Sequence, residues 1–84
     1  MQLTPSAEGE FADLPLQAQK PIARWLDLLA DDPYRKETKK LGGKDTMRRV
    51  HAGKDYVIVY EIEKTKVLIL ILRVGLRKEI YRNL

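Results

Sequence analysis

The 84 residues, 44% of them hydrophobic, suit one folded domain spanning residues 1–84, too small to bury more than a modest core. The absence of cysteine excludes a disulfide framework, a thiolate metal site and a cysteine nucleophile. The net charge is +4, and the longest apolar run, Val67 to Leu72, falls far short of the roughly 20 residues that span a bilayer. Met1 to Glu10 lacks the basic and apolar pattern of a signal peptide, so a cytoplasmic location is expected.

Gln2 to Thr4 reads as a short edge strand. Thr4 and Pro5 then read as an N-cap and the first residue of a helix. That first helix extends to Asp13 and carries Ala7, Phe11 and Leu14 inward. Leu14-Pro15 breaks it and starts a second helical segment to about Ala30. There Ile22, Trp25, Leu26, Leu28 and Leu29 form an apolar stripe at helical spacing. Pro21 implies either a kink or a restart near Lys20. Asp31-Asp32-Pro33 ends the segment, because the residue before proline avoids helical geometry.

Tyr34 to Gly43 is polar and basic and reads as a connection that ends in a Gly42-Gly43 turn. Periodicity then switches to two. Thr46 to Ala52 reads as a strand and Gly53-Lys54-Asp55 as a turn. Tyr56 to Ile62 alternates Tyr56, Ile58, Tyr60 and Ile62 on one face with Val57, Val59 and Glu61 on the other. Glu63 to Lys66 reads as a hairpin turn. Val67 to Val74 is apolar on both faces, as a central strand would be. Gly75-Leu76 breaks it, and Lys78 to Tyr81 reads as a last short strand. Helices followed by an antiparallel meander make an α+β fold, with Tyr56, Tyr60 and Trp25 expected in its core.

Charge divides sharply along the chain. In residues 1–34, Lys20 and Arg24 stand against six acids, a net of −4. In residues 35–84, fourteen Lys and Arg stand against six acids, a net of +8. A basic half of this kind attracts polyanions, of which nucleic acid is the usual one.

The order Lys39-Lys40-Leu41-Gly42-Gly43, Arg49-Val50-His51-Ala52-Gly53, Asp55-Tyr56-Val57 through Tyr60-Glu61, and Arg73-Val74-Gly75-Leu76-Arg77 through Tyr81 resembles the RelE/ParE superfamily of toxins. Leu3-Thr4-Pro5 and Leu14-Pro15 fit the helical hairpin of that family. The resemblance implies a short N-terminal strand and a two-helix hairpin packed on an antiparallel sheet of about four strands. It implies the toxin of a type II toxin–antitoxin system, in the RelE manner a ribosome-dependent endonuclease that cuts mRNA in the ribosomal acceptor site. The alternatives are a ParE-type DNA gyrase inhibitor, or a catalytically weak member that acts mainly by binding an antitoxin. The implied partner is a cognate antitoxin, whose acidic helix or added strand would wrap the basic surface.

RNA cleavage of this kind removes a proton from the 2′-hydroxyl, stabilises charge on the phosphate and protonates the leaving 5′-oxygen. Within the resemblance these roles fall on side chains, with no metal or cofactor. Arg77 matches the arginine after the Val-Gly pair and is suited to gripping a phosphate. Tyr81 matches the C-terminal tyrosine and is suited to stacking or proton transfer. Arg49 and His51 share a strand face by alternation and align with the family's basic pair if Lys54 is a one-residue insertion. His51 is the candidate general base, and Arg48 competes with Arg49 for the phosphate-binding register. Lys40, Lys44, Arg48, Lys54, Arg73, Lys78 and Arg82 are candidate RNA-binding residues. One departure stands out. Many RelE-type members carry arginine where this chain has Val57, which leaves Lys54 or Arg73 to supply the charge.

Overall fold

The computed structural model of the protein describes residues 1–66 and 68–82, and of Lys44 and Asp45 the backbone alone. Capping chemistry sets its first elements. Strand β1 (Gln2–Leu3) ends at Thr4, whose ψ of 160° keeps it outside the helix while its Oγ1 accepts the Ala7 N–H at 3.1 Å. Pro5 then opens helix α1 (Pro5–Ala12), at a position where a missing N–H costs no helical bond. Leu14-Pro15 separates α1 from helix α2 (Leu16–Asp31). Gln19 Nε2 donates to the Phe11 and Leu14 carbonyls at 3.0 and 3.2 Å, which ties the first turns of α2 to the end of α1 and the bend between them.

Helix α2 is continuous through Pro21 and does not restart at Lys20. Proline removes the N–H that would bond the Gln17 carbonyl. Both residues are exposed, so the helix loses this bond on its solvent side rather than in the core. The helix ends as the sequence implies, with Asp32 extended at φ −148° and ψ 98° ahead of Pro33.

The remaining chain forms strands β2 (Lys39–Leu41), β3 (Lys44–Ala52), β4 (Tyr56–Glu63) and β5 (Leu68–Leu76), followed by helix α3 (Arg77–Arg82). The sheet order is β1-β5-β4-β3-β2, with β1 parallel to β5 and the other neighbours antiparallel. The α+β class, the short first strand and the two-helix hairpin agree with the sequence reading. The sheet has five strands rather than about four, because part of the expected connection pairs. Lys39 lies opposite Arg49 and Lys40 opposite Arg48, which makes the Gly42-Gly43 turn a hairpin.

Two further expectations are corrected. Lys78 to Tyr81 is helical, not a strand. The last residue of β5, Leu76, already lies opposite Tyr56, the first residue of β4, so no backbone remains there to pair with. A helix satisfies the backbone internally. The central strand is β4, not the Val67–Val74 segment. Residues Val57, Ile58, Val59 and Tyr60 are all fully buried, which requires cover on both faces. Val67 itself lies outside the described residues.

Two hydrophobic cores sandwich the sheet. On one face Ala7, Ile22 and Leu29 from the helices meet Val50, Ile58, Tyr60, Ile71 and Val74, with Trp25 and Tyr56 packed at the margin. Tyr60 thus lies in the helix-side core, and Tyr56 and Trp25 pack against it on the side that their periodicity implies. On the other face Val57 and Val59 lie under Ile80 of α3, flanked by Leu41, Met47 and Leu72. No helix among the described residues is long and apolar enough to cross a membrane.

Tyr60 links the helix-side core to the chain leaving α2. Its Oη donates to the Pro33 carbonyl at 2.6 Å, and burial pushes the phenol above its usual pKa. Tyr60→Phe keeps the ring and leaves that carbonyl short of a donor. Urea unfolding of this variant is expected to show a stability loss of about 1–2 kcal/mol.

Candidate functional site

Strand alternation sorts the cations of β3 onto opposite faces. Arg48, Val50 and Ala52 face the helices, while Met47, Arg49 and His51 face α3. Arg48 is therefore not equivalent to Arg49. Its Nε and Nη2 donate to Thr38 Oγ1 at 3.2 and 3.0 Å, and its guanidinium sits 5.2 Å from the Tyr34 ring centroid. This residue braces the chain between α2 and β2.

Helix α3 completes the second face. Ile80, only 2% exposed, anchors it over Val57 and Val59. With Ile80 turned inward, its neighbour Tyr81 reaches β3, where Tyr81 Oη and His51 Nε2 lie 2.8 Å apart. The two rings meet edge to face, with centroids 6.2 Å apart at 67°. At the start of α3, the Arg77 backbone N–H donates to the Asp55 carbonyl at 2.8 Å. Arg77 Nη1 also donates to the Lys54 carbonyl at 3.1 Å. The turn that offers these carbonyls needs Gly53 at φ +75°, a conformation that side chains with Cβ resist.

Arg49, His51, Arg77 and Tyr81, from one strand and one short helix, thus share one face of the sheet. Desolvation lowers the His51 pKa below its usual 6.5, and the positive charges of Arg49 and Arg77 lower it further. The imidazole is accordingly neutral at pH 7. It accepts a hydrogen bond from the Tyr81 hydroxyl or donates one to it, depending on the tautomer.

The other sequence candidates divide around α3. Lys54 and Lys78 join Arg77 and Tyr81 in a concavity between α3 and the β3–β4 turn. Arg82 lines a groove on the opposite side of α3, shared with Glu10 and Arg73. Arg73 is committed to Glu10, whose Oε2 accepts from both Arg73 Nε and Nη2 at 2.8 Å while Oε1 accepts the Val74 N–H at 3.0 Å. Of the two candidates to replace a charge at Val57, Lys54 borders the His51–Tyr81 pair and Arg73 is tied to α1. Lys40 lies opposite Arg48, on the helix-side register of β2. The Lys44 side chain lies outside the described residues.

Lys39 is the cation that the sequence reading missed. It lies directly opposite Arg49 and so extends the charged face onto β2. No period-two pattern in Lys39-Lys40-Leu41 announces the strand, so residues 34–43 read as a loop and Lys39 went unseen.

Residues 1–81 match the family model of the ParE toxin of the type II toxin–antitoxin system parDE. No curated protein sequence matches the chain significantly. Among solved structures, the isolated RelE toxin of Escherichia coli superposes with a TM-score of 0.80 at 21% identity, covering 98% of this chain and 89% of that one. RelE in the RelB–RelE antitoxin–toxin complex of Methanococcus jannaschii gives 0.79 at 22% identity, covering 99% and 98%. RelE in the archaeal complex from Pyrococcus horikoshii gives 0.77 at 22% identity, covering 90% and 91%. At such identities these structures establish a shared RelE-like fold, whereas the family model accounts for nearly the whole sequence. The chain belongs to the ParE/RelE toxin superfamily of type II toxin–antitoxin systems.

Proposed function

We propose that this toxin is a ribosome-dependent mRNA endonuclease whose proton transfers run through His51 and Tyr81. The 2.8 Å contact between those side chains, beside Arg49 and Arg77, carries the reading. A neutral imidazole that accepts a hydrogen bond from the Tyr81 hydroxyl leaves the phenol oxygen able to accept another. The 2′-hydroxyl of the message gives its proton to Tyr81 Oη as Tyr81 passes its own to His51 Nε2. The 2′-oxygen attacks phosphorus, the bond to the 5′-oxygen breaks, and a 2′,3′-cyclic phosphate forms. The imidazolium, destabilised by Arg49 and Arg77, then returns a proton to the leaving 5′-oxygen. The same two guanidiniums offset the charge that develops on the phosphate.

Gyrase inhibition remains the second reading, on two observations. The matched family model is that of ParE, and Val57 stands buried where many RelE-type members carry arginine. Inducing the chain in cells separates the two. Transcript ends within codons support the nuclease, whereas gyrase–DNA cleavage complexes with intact message support the inhibitor. Growth unaffected by induction would leave only an antitoxin-binding module. The cognate antitoxin is a proposed partner under every reading, since the Methanococcus and Pyrococcus relatives were crystallised with RelB. Its natural target is the +8 half of the chain.

In vitro translation with programmed ribosomes tests the chemistry directly. Arg77→Ala and Tyr81→Phe are each expected to slow message cleavage about 100-fold or more, the usual effect of losing one preorganised group. Wild-type rates in either variant would remove the residue from the mechanism.

The pH profile tests the base. His51 must be neutral to accept a proton, so cleavage should fall as pH drops through its folded-state pKa. Because that pKa is lowered, the acid limb is expected below pH 6.5. Arg49→Ala removes one of the charges that lower it and should move the limb upward, towards 6.5. An acid limb that Arg49→Ala leaves in place would exclude His51 as the titrating group.

A further inference from the structure

We infer that the His51–Tyr81 pair gives this chain a second activity: it hydrolyses the 2′,3′-cyclic phosphate left by the cut to a 3′-phosphate. The inference rests on the nuclease reading above and sets the final form of the product. The relay finishes the cut in the state in which it began. His51 has returned its proton to the 5′-oxygen, and Tyr81 has replaced its own from the 2′-hydroxyl. The two side chains, 2.8 Å apart, are then ready to move a proton in the opposite direction.

Group chemistry decides whether water can take the place of the departed 5′-oxygen. Attack by water needs an acceptor for its proton. Arg49 and Arg77 cannot serve, because a guanidinium has no acceptor to offer. His51 can, because burial and those two charges keep its imidazole neutral. Water also has a route to the pair. Tyr81 is 37% exposed and His51 half-buried, and Tyr81 lines the concavity between α3 and the β3–β4 turn. Lys54, Arg77 and Lys78 border the same concavity. The cyclic ester keeps a negative charge, so these cations hold it after the 5′-oxygen has left.

The step balances in atoms and protons. Water gives a proton to His51 as its oxygen attacks phosphorus, and the bond from phosphorus to the 2′-oxygen breaks. The 2′-oxygen takes the Tyr81 hydroxyl proton, and Tyr81 recovers one from His51. The product carries a free 2′-hydroxyl and a 3′-phosphate, and both side chains are restored. Opening the strained five-membered ring favours this direction.

The test presents the full chain with two RNAs on ribosomes. One is an intact message, and the other is its upstream fragment already ending in a 2′,3′-cyclic phosphate. Phosphatase reads the result, because it removes a 3′-phosphate and leaves a cyclic one. With the wild type, cyclic ends should appear first and then convert, and the supplied cyclic end should convert as well. His51→Gln, with an unchanged thermal midpoint, is expected to slow conversion of the supplied end about 100-fold or more, as loss of a general base usually does. That RNA needs no prior cut, so a loss there is separate from the first step. Cut messages whose cyclic ends persist, or conversion by His51→Gln at the wild-type rate, would overturn the inference while the cut itself stands. Conversion of the supplied end beside whole messages would overturn the nuclease reading alone. Whole messages beside an unconverted end would overturn both.

Discussion

Ile80 rests on Gly75, and the arrangement of the whole α3 face depends on that contact. A Cβ at residue 75 would stand 3.2 Å from Ile80 Cδ1, so any larger residue forces the isoleucine to shift. Gly75 lies opposite Val57 in the sheet, and Ile80 covers both. Helix α3 has six residues, far too few to hold a helix by itself. Its position comes from this one buried side chain and from the two hydrogen bonds that tie Arg77 to the β3–β4 turn. Seating Ile80 thereby sets two distances at once: Tyr81 to His51, and Arg77 to the strand that carries Arg49.

The charged face is assembled against local stability. Lys39 opposite Arg49 and Lys40 opposite Arg48 are like-charge cross-strand pairs, which disfavour the β2–β3 hairpin by a few tenths of a kcal/mol or more each. Arg48 finds relief on the helix side through Thr38 and the Tyr34 ring. Arg73 finds it through Glu10, which also caps the edge of β5 where β1 has ended. Arg49 and Arg77 instead lie close enough to His51 to lower its pKa. Positive charge kept near a titrating imidazole is costly in isolation, and a polyanion offsets it.

Local rules made much of this legible beforehand. The Thr4-Pro5 cap, the Asp32-Pro33 stop and the period-two pattern of β4 each depend on a few neighbouring residues. The convergence of Arg49 and His51 followed from alternation alone. Features that depend on distant partners were harder to see. Residues 39–41 become a strand only because β3 folds back on them, which hid Lys39. Residues 77–82 become helical because β4 has run out opposite Leu76, and no feature of Lys78 to Tyr81 itself announces that. Pro21 left a kink and a restart both open because its effect depends on which side of α2 meets the core; it falls on the solvent side, and the helix runs on without a restart.

Val57 and the His51–Tyr81 pair are two results of one packing choice. The side chain at residue 57 points to the α3 face, lies opposite Gly75 and is fully buried under Ile80. An arginine there would need either an unpaired buried charge, which costs several kcal/mol, or an outward path through the space that Ile80 fills. Taking that path would unseat α3 and draw Tyr81 away from His51. The sheet can present a guanidinium at this position or hold the short helix down on it, but not both in this geometry. This chain holds the helix down, so the positive charge on this face comes from Arg49, Arg77 and Lys54 around the rim of the apolar seat. The missing arginine is then the condition under which a tyrosine hydroxyl comes within hydrogen-bonding distance of a neutral histidine.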